Sequence, residues 1–158
     1  MRTMTTLKCL TFAFLFVVMP YATAQAGQGA WGPWSNSNMP FAVADAFVHD
    51  DGGTLIIACN KTNQLLSYIL TEPRANWQQG TKIKIMTKAD DGSETTSTGY
   101  VVGPTGLAVT EQATADISTM GKAKTYFGIG DGVYARIFPA LNFRKSMEPV
   151  LQACGTHW

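Results

Sequence analysis

Alternation of apolar and polar residues runs through the first two thirds of the chain and predicts β-strands with one buried face. The most apolar segment, Thr54 to Cys59, lies between the turn signals Asp50-Asp51-Gly52-Gly53 and Asn60-Lys61. It predicts a buried strand that forms a hairpin with Phe41 to His49. Further strands are predicted at 65–71, 81–87, 94–102 and 107–110, which makes a β-meander of about six strands.

After this meander the hydrophobic period changes from two to nearly four residues. The segment 111–122 predicts a helix, with Thr110 as its N-cap and Gly121 near its end. Gly130-Asp131-Gly132 then predicts a hairpin turn between strands 125–129 and 133–138. A last helix places Met147, Val150, Leu151 and Cys154 on one side, and Pro149 favours a start at Ser146 rather than at Asn142.

The order of these elements predicts an α+β fold that is mainly antiparallel β, a curled sandwich or open barrel with two short helices. No repeat or linker divides residues 41–158, which we expect to form a single domain. Residues 25–40 are rich in Gly, Ser, Asn and Pro and predict an extended lead-in to that domain.

Residues 1–24 have the three parts of a secretory signal peptide. Arg2 and Lys8 supply the positive charge, and the segment 10–18 is an apolar core of about half the length that a membrane span needs. Ala22-Thr23-Ala24 fits a cleavage site, and Ala24-Gln25-Ala26 is a second candidate. We therefore expect a periplasmic or secreted protein that keeps no membrane span after cleavage.

Signal cleavage would remove Cys9 and leave two cysteines, Cys59 and Cys154. An even number of cysteines in an oxidising compartment favours one disulfide, although two separate buried thiols are the alternative. Two cysteines alone cannot make a structural zinc site, which takes four ligands, and no metal site is predicted.

Charge excludes nucleic acid as a partner. The formal net charge of +1 rests on 12 basic and 11 acidic residues, and loss of Arg2 and Lys8 changes it to −1. The remaining basic residues are scattered apart from Lys82, Lys84 and Lys88, whose spacing indicates the solvent face of a strand. A nucleic-acid surface needs a stronger positive field than this.

The candidate for catalysis is His49, which lies on the same predicted strand face as Asp45 and directly before Asp50. A histidine oriented by a carboxylate is part of a nucleophilic site, but no G-x-S-x-G nucleophile accompanies it. The alternative is a histidine at a strand end beside an acidic turn. Gly128-x-Gly130-x-Gly132 lies between strands and predicts a hairpin instead of a phosphate loop, so no cofactor is predicted.

Tryptophans are the candidates for ligand binding. Trp31 and Trp34 lie close together in the lead-in, and Trp77 lies in a loop. They can either cap the core or form an exposed aromatic surface for a protein or a glycan. For Trp77 the core is the favoured interpretation.

Two segments carry a resemblance to known proteins: Gly53-x-Leu55-Ile56-x-x-Cys59 and Phe143-x-x-x-Met147-x-x-Val150-Leu151-x-x-Cys154-Gly155. The chain resembles small exported bacterial proteins of the invasion-associated locus B type and periplasmic proteins linked to type VI secretion, although it lacks the additional cysteines of the locus B pattern. The resemblance implies a final segment that packs back on a β-sheet. It also implies a virulence-associated accessory role in the cell envelope without catalysis.

The sequence therefore predicts a non-enzymatic exported interaction protein, such as an inhibitor, an immunity factor or a virulence-associated accessory factor, with a protein partner in the envelope. The alternatives are a small hydrolase that uses His49 and a glycan-binding module that uses Trp31 and Trp34.

Overall fold

The computed structural model describes residues 53–158 in full and, before them, the strand backbones at 32–34 and 41–47. These parts form nine strands and two helices. The strands are β1 Gly32–Trp34, β2 Phe41–Phe47, β3 Thr54–Asn60, β4 Leu65–Thr71, β5 Lys82–Ala89, β6 Glu94–Gly103, β7 Gly106–Val109, β8 Tyr126–Gly130 and β9 Ala135–Pro139. The helices are α1 Ala113–Met120, between β7 and β8, and α2 Phe143–Ala153, after β9.

The nine strands make one antiparallel sheet in the order β1-β2-β3-β4-β7-β6-β5-β8-β9. The sheet curls into a half-barrel, which confirms the predicted mainly antiparallel α+β class with two short helices and one disulfide. Strand β1 arises inside the segment predicted as an extended lead-in. It accommodates Pro33 because a strand at the edge of this sheet pairs on one side only.

The predicted six-strand meander is wrong at one connection. Strand β4 pairs with β7 instead of β5. After β4 the chain therefore crosses the positions of β7 and β6 in the sheet before it begins β5. The connecting loop crosses the end of the β6–β7 hairpin, where the amides of Glu72 and Trp77 donate to the carbonyls of Thr105 and Pro104, each at 2.8 Å. The side chains of Glu72 and Trp77 are buried, which holds the loop in this path.

The core lies on the concave face of the half-barrel. Alternate residues of each strand point into it, as in Leu55, Ile57 and Cys59 of β3, which are all fully buried. Helix α1 covers β4, β5 and β6, and helix α2 covers β1, β2 and β3. The helices therefore close the concave side, and neither of them covers the convex side of the sheet, which we call its outer face.

Both helices begin at positions that the sequence did not predict. Helix α1 follows Gln112 rather than Thr110, and α2 follows Asn142 rather than Ser146. Each of these N-cap residues has a left-handed backbone, with φ of 65° and 62°, and makes no side-chain cap hydrogen bond. A single left-handed residue thus turns the chain from the preceding segment into each helix.

Helix α2 is longer than predicted and contains Pro149 in its interior. The sequence predicts a start at Ser146, which would place this proline in the first turn. Burial of Phe143 between Phe127 and Trp158 fixes the first turn, so the helix starts before the proline can serve as an N-terminal residue. Pro149 lies on the exposed side of the helix, where solvent can hydrogen-bond to the backbone carbonyl that loses its donor. The core contact of Phe143 therefore outweighs the local cost of the proline.

The predicted disulfide joins Cys59 to Cys154, with a Cα–Cα distance of 5.6 Å and a sequence separation of 95 residues. Cys59 is fully buried in β3, and Cys154 directly follows α2. The bond therefore ties the last helix to the strand that it covers.

A buried polar cluster lies where α1 meets the sheet. The hydroxyl groups of Tyr68 and Thr95 donate to the two carboxylate oxygens of Asp116, at 2.7 and 2.9 Å. Asp116 and Tyr68 are fully buried. Burial, together with the charge of Asp116, raises the pKa of Tyr68, so the phenol keeps its proton and acts as a donor. These three groups orient α1 on strands β4 and β6.

We expect Tyr68→Phe to lower the free energy of unfolding by roughly 2 kcal/mol, because it removes one hydrogen bond to a buried carboxylate. The matched control is Tyr126→Phe, which removes a hydroxyl group from a ring that is 49% exposed. Urea unfolding of both variants checks this. Equal stability of the two would show that the Tyr68–Asp116 hydrogen bond contributes nothing.

Candidate functional site

A row of apolar side chains crosses the outer face of the sheet. The strand register places Ile56 opposite Ile69, Ile69 opposite Ala108, and Ala108 opposite Tyr100. These four residues, which we call the outer row, occupy the adjacent strands β3, β4, β7 and β6. Ile69 is 41% exposed, and the other three are partly exposed. Neighbouring strands lie about 4.8 Å apart, so the outer row is roughly 14 Å long.

Charged and hydroxyl groups surround the outer row. Lys82 pairs with Tyr100 at its end, and the ammonium lies 4.9 Å from the centre of the tyrosine ring. The hydrogen bond and charge interaction with Tyr100 raise the pKa of Lys82, so this end stays positive at neutral pH. Along one side, the hydroxyls of Thr54 and Thr71 lie 2.6 Å apart in a hydrogen bond. The row thus has a positive charge at one end and hydroxyl groups along one side.

A second surface lies on the outer face at β8 and β9. Tyr126 and Ile137 are 49% and 62% exposed, and Gly128 pairs directly with Ile137. Gly128, which has no side chain, lines an open depression of about 330 Å³ beside these residues. We call it the Gly128 depression. A Cβ atom at Gly128 would lie 3.7 Å from the nearest atom, the carbonyl oxygen of Arg136, so the fold itself does not require glycine there.

The charged groups around the Gly128 depression are already paired within the chain. Asp90 accepts hydrogen bonds from the amides of Lys124 and Thr125, at 2.8 and 2.7 Å. The first of these bonds is the main cause of the lowered pKa of Asp90, so its carboxylate is ionised at neutral pH. Lys88 forms an exposed ion pair with Glu94 at 4.0 Å. The depression therefore has an apolar wall and a charged rim of both signs.

A buried ion pair closes one end of the half-barrel. Arg136 of β9 reaches Glu72 in the β4–β5 loop, with its Nη2 donating to Oε1 at 2.7 Å. Burial acts to raise the pKa of Glu72, but hydrogen bonds from Arg74 and Arg136 outweigh it and lower the pKa to about 2. A Cβ atom at Gly53 would lie 2.8 Å from the guanidinium, so glycine makes room for Arg136. The pair links the β4–β5 loop to β9 and holds the curl of the sheet.

Trp77 makes the second link between the same two segments. Its indole nitrogen donates to Oδ2 of Asp131 at 2.9 Å. Its ring packs edge-on against the ring of Tyr134, with 6.3 Å between the two ring centroids. Trp77 is only 8% exposed, which agrees with the favoured core interpretation. As placed, this tryptophan anchors a loop and presents little surface to a ligand.

The other predicted site residues lie outside the part of the chain that the structure describes in full. Trp31 and His49 fall outside it, and for Trp34 only the backbone of β1 is described. Their proposed roles in glycan binding and hydrolysis stay predictions. His157 is exposed and adjoins a cavity of about 30 Å³, room for about one water molecule.

Within residues 53–158 we find no group of three or more His, Cys, Asp or Glu side chains placed to hold a metal ion. In the same part of the chain, neither helix has the length and apolar character needed to cross a membrane.

The sequence did not predict either outer-face surface. Because side chains alternate along a strand, Ile56 and its partner Ile69 lie on the face of the sheet opposite to Cys59. Only the pairing of β4 with β7 brings them into one row with Ala108 and Tyr100. For Gly128 the sequence predicts only a position next to a hairpin turn.

Comparison with protein-family profiles, curated protein sequences and solved structures finds no significant match to this chain.

Proposed function

We propose that this chain is an exported interaction protein of the bacterial cell envelope and binds a partner protein through the Gly128 depression. The observation that carries the proposal is the pair of exposed side chains next to the gap over Gly128, Ile137 at the paired position of β9 and Tyr126 two residues along β8. A tyrosine and an aliphatic side chain beside a pocket are typical of the residues that dominate binding energy at protein interfaces.

A partner protein fits the depression better than a sugar does. Sugar binding requires side-chain donors and acceptors that converge on the ligand. Here the lining has one carboxylate, Asp90, each of whose oxygens already accepts a backbone hydrogen bond, and one ammonium, Lys88, which pairs with Glu94, so few side-chain donors and acceptors face a sugar. What remains open is an apolar wall with a charged rim, and this suits an apolar side chain carried on a polar protein surface. The occupant we propose is therefore one aliphatic or aromatic side chain of the partner.

Two of the described carboxylates are engaged inside the scaffold. Asp116 uses both carboxylate oxygens to accept hydroxyl groups inside the core, and Glu72 is enclosed by arginines at one end of the sheet. Both carboxylates thus stabilise the scaffold. An exported scaffold stapled by the Cys59–Cys154 disulfide would keep the depression in one shape, as an inhibitor, an immunity factor or a virulence-associated accessory factor requires.

We expect Ile137→Glu and Gly128→Val each to weaken partner binding at least about tenfold, because the first places a charge in the apolar wall and the second fills the gap. The matched control is Leu141→Glu, which changes a leucine that is 66% exposed and does not line the depression. The measurement is affinity capture from bacterial envelope extract with the exported protein as bait, quantified by mass spectrometry, with thermal unfolding to show that each variant is folded.

The proposal requires that the same partner is recovered with the unchanged protein and with Leu141→Glu, and is lost with both depression variants. Equal recovery with Ile137→Glu would contradict it. Recovery of peptidoglycan instead of a protein would favour the glycan-binding alternative.

A further inference from the structure

We propose that the partner protein of the Gly128 depression adds a β-strand to the open edge of β9. Strand β9 is the last in the sheet order, so within the described part of the chain it pairs on one side only, with β8. This inference rests on the proposed function, because it assigns the added strand to the same partner. It names the element of the partner that is recognised, a short extended segment.

The hydrogen-bond pattern of β9 shows which backbone groups face this edge. The amide of Ala140 donates to the carbonyl of Thr125 at 2.9 Å, on the same register that pairs β8 with β9. Bonded and non-bonded pairs alternate along an antiparallel ladder, so Ala135 and Ile137 fall at non-bonded positions. The amides and carbonyls of these two residues therefore point away from β8, and both residues are exposed.

The edge of β9 lacks the charges that usually protect an edge strand. Native sheets prevent unwanted strand pairing with charged side chains, prolines or bulges at their edges. The one charged residue of β9 is Arg136, which is buried and turns inward to Glu72. Pro139 ends the strand and has no amide proton to donate, so the open stretch is centred on 135–137.

The exposed groups select an extended backbone as the occupant. The outward amides and carbonyls of Ala135 and Ile137 repeat every two residues, roughly 6.8 Å along the strand. Another strand presents acceptors and donors with the same repeat, which is how an edge strand recognises a peptide. On the outer face Ile137 would contact the side chain paired with it, and the small Ala135 leaves room for a large one. We therefore expect an apolar segment.

The edge of β9 and the Gly128 depression are continuous. Ile137 lines the depression with its side chain and presents its backbone to the edge. An added strand would lie about 4.8 Å from β9, which brings the rest of the same partner over the depression. One partner can thus use both features, and for this reason the added strand is assigned to it.

A second copy of this chain fits the edge less well. Two antiparallel β9 strands bond every outward group only when Ala135 of each lies opposite Ile137 of the other. This register places the two buried Arg136 side chains directly opposite each other on the inner face, and like charges at such positions are destabilising. The edge therefore favours a different protein, whose residue at that position can be neutral or acidic.

Hydrogen exchange resolved at single amides tests the edge directly. In the free exported protein, the amides of Ala135 and Ile137 should exchange at least about tenfold faster than those of Arg136 and Phe138, which point to β8 and are the internal control. In the complex recovered by affinity capture from bacterial envelope extract, the two outward amides should become protected at least about tenfold. Unchanged exchange of both amides in that complex would overturn strand addition.

Slow exchange of the two outward amides in the free protein would overturn the proposal as well. Protection that increases with protein concentration would assign the edge to a second copy. Protection that is independent of concentration would assign it to another segment of this chain.

A proline substitution removes one outward donor. Ala135→Pro deletes an amide that makes no bond to β8, so it should weaken capture of the partner at least about tenfold while the β8–β9 ladder is kept. The matched control is Ala135→Ser, which keeps the amide and should capture the partner as the unchanged protein does. Thermal unfolding shows whether each variant is folded, and the exchange experiment on the unchanged protein decides the question if the proline variant is not.

The outcomes separate this inference from the proposed function. Loss of the partner with Ile137→Glu but not with folded Ala135→Pro would overturn strand addition and keep the Gly128 depression as the binding site. Equal recovery of the partner with Ile137→Glu, or recovery of no protein with the unchanged chain, would overturn both.

Discussion

After the expected signal cleavage, which removes Cys9, the unreduced protein is expected to contain no free thiol, and Cys59→Ser is expected to lower the free energy of unfolding by roughly 2–5 kcal/mol. The disulfide closes a loop with a sequence separation of 95 residues, so in the unfolded chain it removes a large part of the conformational freedom. It also fixes the end of α2 on β3, where Cys59 is fully buried. Guanidinium unfolding and thiol titration under denaturing conditions measure the two effects.

The controls separate the cross-link from the side chains. Cys154→Ser and the double serine variant should lose about the same stability as Cys59→Ser, since each lacks the same bond. The unchanged protein, unfolded in the presence of a reductant, should lose a similar amount. Titration of two free thiols in the unreduced protein would contradict the role of the disulfide.

Glu72→Gln is expected to lower the free energy of unfolding by roughly 3–5 kcal/mol, because it replaces the buried carboxylate that pairs with Arg136 by a neutral amide. Glu94→Gln is the matched control. It removes a carboxylate from an ion pair whose side chains are 61% and 46% exposed, and it should change stability by less than about 1 kcal/mol. Urea unfolding at neutral pH compares the two variants, and equal losses would contradict the importance of the buried pair.

The Glu72–Arg136 ion pair also makes the free energy of unfolding depend on pH in the acid range. The pKa of Glu72 falls from 4.5 to about 2 on folding, so the folded protein holds this proton less tightly than the unfolded chain does. The resulting stability, roughly 3 kcal/mol, is complete above pH 4.5 and is lost as the pH falls through about 2. Other carboxylates titrate in the same range. The difference between the unchanged protein and Glu72→Gln isolates Glu72, and it should shrink as the pH falls.

Local patterns predicted most of the strands and the disulfide. Alternation in the segment 54–60 fixes which side chains enter the core, because a strand has a period of two. The hairpin turns at Asp90-Asp91-Gly92 and Gly130-Asp131-Gly132 follow from local hydrogen bonds, such as that from the Ser93 amide to Asp91 at 2.8 Å. The pairing of Cys59 with Cys154 follows from the even count of cysteines that the expected signal cleavage would leave.

Long-range contacts decided what the sequence did not predict. The path from β4 to β5 depends on a buried Glu72, and nothing near Glu72-Pro73-Arg74 indicates that Arg136, 64 residues later, joins Arg74 in neutralising its charge. The start of α2 depends on the aromatic contacts of Phe143, which outweigh the helix-breaking tendency of Pro149. The outer row exists only because β7 is inserted beside β4. Each of these features needs the strand order, which local patterns do not contain.

The fold provides a rigid support for its outer face. One end of the half-barrel is held by the Glu72–Arg136 and Trp77–Asp131 contacts, and α2 is held by the disulfide. The two apolar surfaces therefore lie on a sheet whose curvature is fixed from the concave side. This arrangement suits recognition by surface contact, with little reorganisation when a partner binds.

The most direct test of the proposed function is site-specific photo-crosslinking in living bacteria. A benzophenone amino acid in place of Ile137 should give one adduct of discrete mass with a protein of the envelope, and adding Gly128→Val should remove that adduct. The same amino acid in place of Gln112, an exposed residue before α1, should give no such adduct. No adduct from position 137, or the same adduct from both positions, would contradict binding of a partner protein in the Gly128 depression.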